Sequence, residues 1–252
     1  MPAIDTDDHV IAARLAAEAG DMLVDLRARL TGDGVTGRAL GAEGDRAAHE
    51  LLTRRLAELR PHDAVLSEEG AADPARLAAE RVWIVDPLDG TREFGEVPRT
   101  DWAVHVALVV GGDPGAGAVA LPARGLTLAT ATPPPPPAAW TGPVRVVVSR
   151  SRPPAEATLI AEALDGELIT LGSAGAKAMA VVLGEAEVYA HNGGQHEWDS
   201  AAPVAVARAA GLHASRLDGT PLLYNRPDPY LPDLLICRPE LAERVIEAAA
   251  GA

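Results

Sequence analysis

Residues 81–94 read RVWIVDPLDGTREF and join an apolar run to a group of acids. The run from Val82 to Val85 predicts a strand buried in a core, but it stops at Asp86, and Asp89 lies in the turn that follows. Proline and glycine in this segment also suit an ordinary turn, because proline restrains φ and glycine accepts a positive φ. The segment alone therefore fits either a turn or a binding site.

The composition is that of an acidic globular protein. Of 252 residues, 48% are hydrophobic, which is enough for one large domain or for two lobes with separate cores. The 36 acidic residues exceed the 22 basic ones, and the formal charge of −14 should repel nucleic acid and anionic membranes. We therefore expect neither a nucleic-acid polymer nor a membrane as a partner.

Cysteine usage and the first residues bear on location. The single cysteine, Cys237, ends the apolar LLIC (234–237), which predicts a buried structural thiol and excludes a disulfide within the chain. The opening MPAIDTDDHV lacks a basic region followed by an apolar one, and no later segment is apolar over the length of a membrane span. We therefore expect a cytoplasmic protein.

The first half of the sequence predicts two helices followed by short strands. Apolar spacing indicates a helix from Asp5 to about Leu30, capped by Asp5 or Thr6, and another from Glu43 to Arg60 after the Gly-rich TGDGVTG. Strands are predicted at residues 64–67, 81–86, 102–110, 116–121 and 126–130. Because short turns join most of them, we expect antiparallel pairing.

Five consecutive prolines, residues 133–137, predict an exposed loop after these strands, since proline cannot donate to a sheet. Strands and helices then alternate. Strands are expected at VRVVVS, ELIT, AEVYA and DLLIC, and helices at about residues 155–164, 174–183 and 200–210, with ELAERVIEAAA at the end. This alternation predicts an α/β lobe whose helices cover a sheet. We therefore expect two lobes, residues 1–140 and 141–252.

The acids at the end of the buried strand predict an oxygen-rich metal site. Asp86 and Asp89 lie three residues apart across a turn, so their carboxylates and the Leu88 carbonyl can converge. Without a cation the two carboxylates would raise each other's pKa by repulsion, whereas Mg²⁺ removes the repulsion and prefers oxygen ligands. A metal here would explain why an apolar strand ends in acids.

Further acids lie at the ends of other apolar segments. Glu68 and Glu69 follow the strand at 64–67, and Asp199 stands where a helix begins in HEWDSAAPVAVARAAG. Taken singly, the glutamates fit a solvated turn and Asp199 fits an N-cap. Together with the two acids of the strand, Glu68 and Asp199 favour a shared site. The adjoining HNGGQHEW (191–198) lacks the partners of a compact zinc site and is interpreted as a mobile loop beside the pocket.

Three motifs in combination resemble the inositol monophosphatase superfamily: LSEEG (66–70), WIVDPLDGT (83–91) and WDSAA (198–202). They occur in the family's order, and the resemblance extends over nearly the whole chain. It implies a Mg²⁺-dependent, Li⁺-sensitive phosphatase with a layered αβαβα sandwich, in which a lobe with an antiparallel sheet precedes a smaller α/β lobe. The site would lie between the lobes. Related phosphatases are often homodimers.

The resemblance also implies roles for individual residues. The ligands of two or three Mg²⁺ ions would be Glu68, Asp86, the Leu88 carbonyl, Asp89 and Asp199. Thr91, with Glu68 behind it, would position the attacking water, and backbone N–H groups around Gly90 and Thr91 would hold the phosphate. Asp45 aligns with the family's proton acceptor, although Ala42 stands where the family more often has Thr or Ser.

Two further segments resemble the CysQ branch of the superfamily, the 3'(2'),5'-bisphosphate nucleotidases: VVVSRSRPPAE (146–156) and LGSAGAKAMAV (171–181). A substrate with a second phosphate needs cations away from the metal, and the best candidates are Arg150, Arg152 and Lys177. Arg152 stands where this branch usually has His. The expected substrate-binding residues are Gly90, Thr91, Ser149, Arg150, Arg152, Gly172, Ser173 and Lys177.

These resemblances predict hydrolysis of the 3'-phosphate of 3'-phosphoadenosine 5'-phosphate (PAP), giving AMP, or of its sulfated form PAPS, giving APS, in sulfur assimilation. The alternative enzyme is an inositol monophosphatase or a fructose-1,6-bisphosphatase, because the metal site binds the scissile phosphate rather than the leaving group. The alternative outside enzymes is a non-catalytic, metal-binding regulatory protein. No expected ligand carboxylate is missing, which favours catalysis.

Overall fold

The computed structural model describes residues 4–71, 73–151 and 153–251. The helices are α1 (Thr6–Gly32), α2 (Gly37–Leu59), α3 (Thr91–Gly95), α4 (Ala155–Ala163), α5 (Ala174–Val182), α6 (Glu197–Ala209) and α7 (Ala242–Ala250). The strands are β1 (Ala64–Ser67), β2 (Arg81–Asp89), β3 (Ala103–Val110), β4 (Asp113–Leu121), β5 (Leu126–Ala129), β6 (Arg145–Ser149), β7 (Glu167–Leu171), β8 (Val188–His196), β9 (His213–Ser215) and β10 (Tyr230–Cys237).

The strands form two mixed sheets. The first has the order β1-β2-β3-β4-β5, and the second has the order β7-β6-β8-β10-β9. Pairing in the first sheet is antiparallel from β2 to β5, as predicted, but β1 is parallel to β2. The expectation of antiparallel pairing is therefore wrong at β1, because residues 68–80 return the chain to the opposite end before β2 begins.

Hydrophobic packing stacks these elements in five layers. One core lies between the first sheet and the helices α1 and α2, and Leu15, Leu52 and Trp83 are buried in it. A second lies between the two sheets and encloses α5 and α6, and a third joins the second sheet to α4 and α7. The order helix, sheet, helix, sheet, helix confirms the predicted αβαβα sandwich. Because packing is continuous through α5 and α6, the division at residue 140 stays a prediction.

Local signals account for most element boundaries. Asp5 caps α1 as predicted, since its side chain accepts a hydrogen bond from the Asp8 N–H at 2.9 Å. The start predicted for α2 is wrong by six residues, because the helix begins at Gly37 rather than Glu43. Glycines weaken a helix pattern, but a Cβ at Gly41 or Gly44 would overlap Thr91 or Phe94. These glycines are needed for close packing.

Two predicted loops have different outcomes. Residues 133–137 have no regular structure and are exposed or half-buried, as expected for a polyproline segment. The mobile loop predicted over HNGGQH is wrong, because these residues continue β8, and β10 supplies the missing ladder partner with Tyr230 opposite His196. Cys237 is buried, as predicted. None of the described helices combines the length and the apolar composition that a membrane crossing requires.

Candidate active site

The end of β2 carries two of the predicted ligands. Its apolar residues pair regularly with β3 as far as Asp86, which lies opposite His105, and the register then shifts before Asp89. Gly90 has φ of +88°, a conformation that strongly favours glycine, and it turns the chain into α3. The strand therefore enters the core and then bends, so that both carboxylates face the space between the sheets.

Three carboxylates meet at this bend. Asp86, Asp89 and Asp199 each offer an oxygen, and these oxygens lie within 4.8 Å of one another. Asp199 comes from the first turn of α6, where its Oδ2 accepts a hydrogen bond from the His196 N–H at 2.7 Å. The N-cap interpretation of Asp199 is wrong by three residues, because His196 is the N-cap of α6 and Asp199 is the third helical residue. Its carboxylate closes the capping box from that position and still reaches the cluster.

Glu68 approaches from the neighbouring strand. Its N–H donates to the Val85 carbonyl at 3.3 Å, which extends the parallel pairing of β1 with β2. Burial of its carboxyl group, together with the charge of Asp199, raises the pKa of Glu68 to about 7, although part of the residue is exposed. Glu68 lies outside the compact group of three carboxylates but is electrostatically coupled to it.

The cluster has strongly perturbed protonation. Burial, followed by the charges of Glu68 and Asp89, raises the pKa of Asp86 well above its ordinary value. Burial and the charge of Asp89 raise the pKa of Asp199 to about 7. Carboxylates packed this closely need either protons or a cation, and the donor set consists of oxygen atoms alone. The residues present therefore fit a hard divalent cation.

Asp89 is held by groups from two other elements, α5 and β3. The N–H groups of Ala174 and Gly175, in the first turn of α5, donate to its two carboxylate oxygens at 3.1 and 2.5 Å. The Nε2 atom of His105 lies 3.2 Å from Asp89 Oδ2. Burial alone would raise the pKa of Asp89, but His105, Lys177 and the backbone donors lower it. Asp89 is therefore the carboxylate of the cluster best prepared to carry charge.

His105 belongs to the site but is not among the residues predicted from the sequence. It is fully buried in β3, and its Nδ1 lies 3.0 Å from the Trp198 carbonyl, so Nδ1 carries a hydrogen and donates it. Burial is the largest single influence and lowers the pKa of His105. The charge and hydrogen bond of Asp89, the Trp198 carbonyl and the charge of Asp199 together outweigh it, so the net shift is upward. The imidazole thus joins Asp89 to the residue before Asp199. A histidine inside the apolar WAVHVALVV was the available signal.

Thr91 and Asp45 form the second part of the site. The Thr91 hydroxyl donates to Asp45 Oδ1 at 3.1 Å, and the Leu88 carbonyl is a second acceptor at 3.3 Å. Burial raises the pKa of Asp45 to about 7, against the hydrogen bond from Thr91 and with a smaller contribution from Glu69. The close packing of α2 at Gly41 brings these two side chains together. Their contact therefore forms even though Ala42 stands where the family more often has Thr or Ser.

A cavity of about 200 Å³ opens beside these carboxylates. Its walls include Asp89, Asp199 and five predicted substrate-binding residues: Gly90, Ser149, Gly172, Ser173 and Lys177. A larger groove of about 620 Å³ lies between α1 and α2 but contains none of the clustered acids. We therefore assign the chemistry to the smaller cavity, where carboxylates of perturbed pKa and open space coincide.

Several of the predicted substrate-binding groups already have partners. The Gly172 N–H donates to Asp101 at 2.6 Å, and the Ser173 hydroxyl accepts the Ala176 N–H at 3.0 Å as the N-cap of α5. Lys177 is buried, and its Nζ donates to the carbonyls of Gly172 and Ser173 at 2.5 and 2.7 Å. Their substrate contacts stay predictions.

Arg150 and Arg152 were both predicted to bind substrate. The Arg150 Nη2 atom donates to Glu93 at 2.7 Å and to Glu96 at 2.9 Å, so two carboxylates of the α3 region neutralise this guanidinium. Arg152 lies outside the described residues. A role for either in substrate binding stays a prediction.

Comparison with known proteins places this geometry in a family. The profile of the inositol monophosphatase family matches residues 7–133 and 142–251. The chain belongs to the inositol monophosphatase family. The match spans every candidate ligand described above, and it confirms the family resemblance inferred from the three sequence motifs.

Relatives within the family carry nucleotidase names. The 3'-phosphoadenosine 5'-phosphate phosphatase of Mycobacterium bovis is 53% identical over 243 residues, covering 93% of this chain and 90% of that protein. The 3'(2'),5'-bisphosphate nucleotidase CysQ of Escherichia coli is 34% identical over 206 residues, covering 74% of this chain and 80% of that protein. The names of these relatives agree with the branch that the segments 146–156 and 171–181 resemble.

Solved structures of family members have the same fold. The crystal structure of CysQ from Bacteroides thetaiotaomicron matches with a TM-score of 0.79 and 28% identity, covering 92% of this chain and 97% of that one. Inositol monophosphatase II from Staphylococcus aureus matches with a TM-score of 0.76 and 22% identity, covering 96% and 94%. The second likeness is evidence for the fold alone.

Proposed function

We propose that the protein is a Mg²⁺-dependent phosphatase that removes the 3'-phosphate of PAP, giving AMP and phosphate, and that it also converts PAPS to APS. The observation that carries the proposal is the Asp86, Asp89 and Asp199 cluster beside the Thr91–Asp45 pair. The relatives that are 53% identical and named for PAP hydrolysis support the choice of substrate. The proposal includes action in the cytoplasm, in sulfur assimilation.

The metal would be held by oxygen atoms from both halves of the chain. The proposed ligands are Glu68, Asp86, the Leu88 carbonyl, Asp89 and Asp199. When bound, Mg²⁺ ions polarise the phosphoryl oxygens, lower the pKa of bound water and stabilise the leaving oxygen. A carboxylate neutralises part of the charge of the bound cation, whereas the amide of Asn or Gln would not. Binding of Mg²⁺ would therefore account for the acidic residues at these positions.

Thr91 and Asp45 would manage the proton of the attacking water. The Thr91 hydroxyl oxygen can accept a hydrogen bond from water while its hydrogen is directed to Asp45 Oδ1. With a pKa of about 7, Asp45 can take up that proton near neutral pH, where a general base is most effective. The N–H groups of Gly90 and Thr91 would hold the phosphate that is attacked.

The nucleoside would occupy the rest of the cavity. Ser149, Gly172, Ser173 and Lys177 line this part and stay in the proposal as substrate contacts. Gly90 and Gly172 allow the backbone of the cavity wall to pack closely, since a Cβ at either position would overlap neighbouring side chains. Arg150 is proposed to contribute through the ion pairs that order α3.

A substrate panel tests the proposal directly. We expect kcat/KM with Mg²⁺ to be at least about tenfold higher for PAP than for inositol 1-phosphate or fructose 1,6-bisphosphate, because of the three only PAP combines a nucleoside with a second phosphate. PAPS should follow PAP, and EDTA should abolish turnover of all four. Preference for inositol 1-phosphate would overturn the substrate assignment. Absence of turnover with excess Mg²⁺ would favour the regulatory alternative.

A further inference from the structure

The described part of the cavity wall offers few cations for a second phosphate. Besides His191, its basic wall residues in the described part of the chain are Lys177 and Arg92. The Lys177 side chain is 3% exposed, donates to two carbonyls and lies 5.4 Å from the centre of the Tyr189 ring. Its ammonium is thus committed to internal contacts, and a phosphate would have to displace them.

Arg92 is placed differently. It is the second residue of α3, directly after Thr91, and its side chain is 59% exposed at the cavity wall. Its Nε donates to Glu96 Oε1 at 2.8 Å. Among the described residues, no other hydrogen bond or ion pair engages its guanidinium. The edge that carries the two Nη atoms is therefore available to a ligand.

The surrounding charges favour a ligand at Arg92 over one at Arg150. Glu96 is shared, because its Oε1 accepts from Arg92 while its Oε2 accepts from Arg150 Nη2. Arg150 also donates to Glu93, so two carboxylates neutralise its charge. In the part of the chain that the structure describes, Arg92 pairs only with Glu96, and it shares that carboxylate with Arg150. A guanidinium with one edge fixed and another open is suited to bidentate recognition of a phosphate.

The size of the cavity agrees with this placement. At about 200 Å³ it is smaller than a typical pocket for a nucleotide-sized ligand. A bisphosphate nucleotide whose scissile phosphate lies at the carboxylates must therefore extend to the rim, where Arg92 is exposed.

We infer that Arg92 is the specificity-determining residue that binds the non-scissile 5'-phosphate of the substrate through its Nη atoms. Glu96 accepts the hydrogen bond from Nε and so orients the two Nη atoms of the guanidinium toward the cavity. This inference rests on the proposed function, because it requires a substrate with two phosphates. Arg92 acts on the part of the ligand that distinguishes PAP from adenosine 3'-monophosphate, and it takes no part in the attack on phosphorus.

The test compares these two substrates in wild type, Arg92→Gln, Arg92→Lys and a control, Arg124→Gln. Arg124 likewise pairs with one glutamate, Glu185, and lies outside the cavity. We expect Arg92→Gln to lower kcat/KM for PAP by about 10- to 100-fold and for adenosine 3'-monophosphate by less than about twofold. Arg92→Lys should fall between, since it keeps the charge without the fork. The control should match wild type.

Calorimetric binding of AMP and adenosine gives a readout without turnover. AMP carries the 5'-phosphate alone, so Arg92→Gln should weaken AMP binding by the same factor and leave adenosine unchanged. Equal losses on PAP and adenosine 3'-monophosphate, or none on either, would overturn the assignment of Arg92 while the proposed function stands. A wild-type enzyme that hydrolyses inositol 1-phosphate but neither nucleotide would refute the proposed function and this inference with it.

Discussion

Mg²⁺ affinity should depend steeply on pH between 6 and 8, because metal ions compete with protons for the clustered carboxylates. Glu68 and Asp199 each have a pKa of about 7, and the pKa of Asp86 is raised well above its ordinary value. Ligands must be deprotonated to bind a metal, so binding at the lower pH must release protons that binding at the higher pH does not.

The expected size follows from these pKa values. A carboxyl group with a pKa near 7 is about 10% ionised at pH 6 and about 90% ionised at pH 8, so it changes the affinity by about tenfold. Asp199 is half-buried and should contribute most of this factor, whereas Glu68 is partly exposed and is discounted to about threefold for solvent screening. We therefore expect affinity to rise about 30-fold from pH 6 to pH 8.

Stability of the metal-free protein should change in the opposite direction. Carboxyl groups whose pKa is raised by folding stabilise the folded state while they are protonated, and that contribution is lost as pH rises through the folded pKa. The metal-free protein should thus lose stability between about pH 4 and pH 7 through Glu68 and Asp199. The Tm increase on adding Mg²⁺ should consequently be larger at pH 8 than at pH 6.

Isothermal titration calorimetry with Mg²⁺ at pH 6, 7 and 8, in buffers of different ionisation enthalpy, measures both affinity and released protons. The Asp199→Asn variant should release fewer protons than wild type when it binds Mg²⁺ at pH 6. Asp113→Asn is the matched control, because Asp113 is 70% exposed and lies outside the site. An affinity that changes by less than threefold, with no proton release, would refute the assignment of these carboxylates as metal ligands.

Three further outcomes are expected. Asp86→Asn should lower kcat by at least about 100-fold in Mg²⁺, because an amide cannot supply the buried charge, and near-normal kcat would contradict its role as a ligand. Li⁺ at fixed Mg²⁺ should inhibit turnover uncompetitively with respect to substrate, since it resembles Mg²⁺ in radius with half the charge; a matched Na⁺ series that inhibits equally would remove this prediction. His105→Phe should weaken Mg²⁺ binding by about 10-fold or more with the fold intact by circular dichroism, because the imidazole positions Asp89, and unchanged affinity would count against that role.

The positions of the clustered carboxylates were predictable because local sequence sets them. An apolar strand followed by a proline-containing turn must bring Asp86 and Asp89 to one end of a sheet. Asp199 could be placed because a helix start is a local signal, and β1 reaches the same edge because it pairs with β2. The parallel direction of that pair was not predictable, since it depends on the path of residues 68–80.

The residues that sequence analysis missed depend on long-range register. His105 faces the site because β3 pairs with β2 so that His105 lies opposite Asp86. Arg92 follows the turn after β2, as the second residue of α3, yet its position at the cavity wall depends on where α5 and β8 lie. Spacing along the chain does not contain these distances.

Lys177 illustrates the converse case. A lysine in LGSAGAKAMAV suggests a substrate-binding cation, but its helix position directs Nζ back to the carbonyls of the preceding turn. These internal acceptors are visible only in three dimensions, and the contact of Lys177 with substrate stays a prediction. The glycines of α2 are similar, because they weaken the helical pattern in the sequence and permit close packing in the structure.

The hydrogen bonds from α5 to Asp89 have a consequence for synthesis on the ribosome. Asp86 and Asp89 emerge early, but the N–H groups of Ala174 and Gly175 that hold Asp89, and the Asp199 carboxylate that completes the cluster, emerge much later. A nascent or prematurely terminated chain that ends near residue 140 therefore contains Asp86 and Asp89 but lacks both the N–H groups that hold Asp89 and the Asp199 carboxylate. Such a fragment should be inert toward phosphate esters.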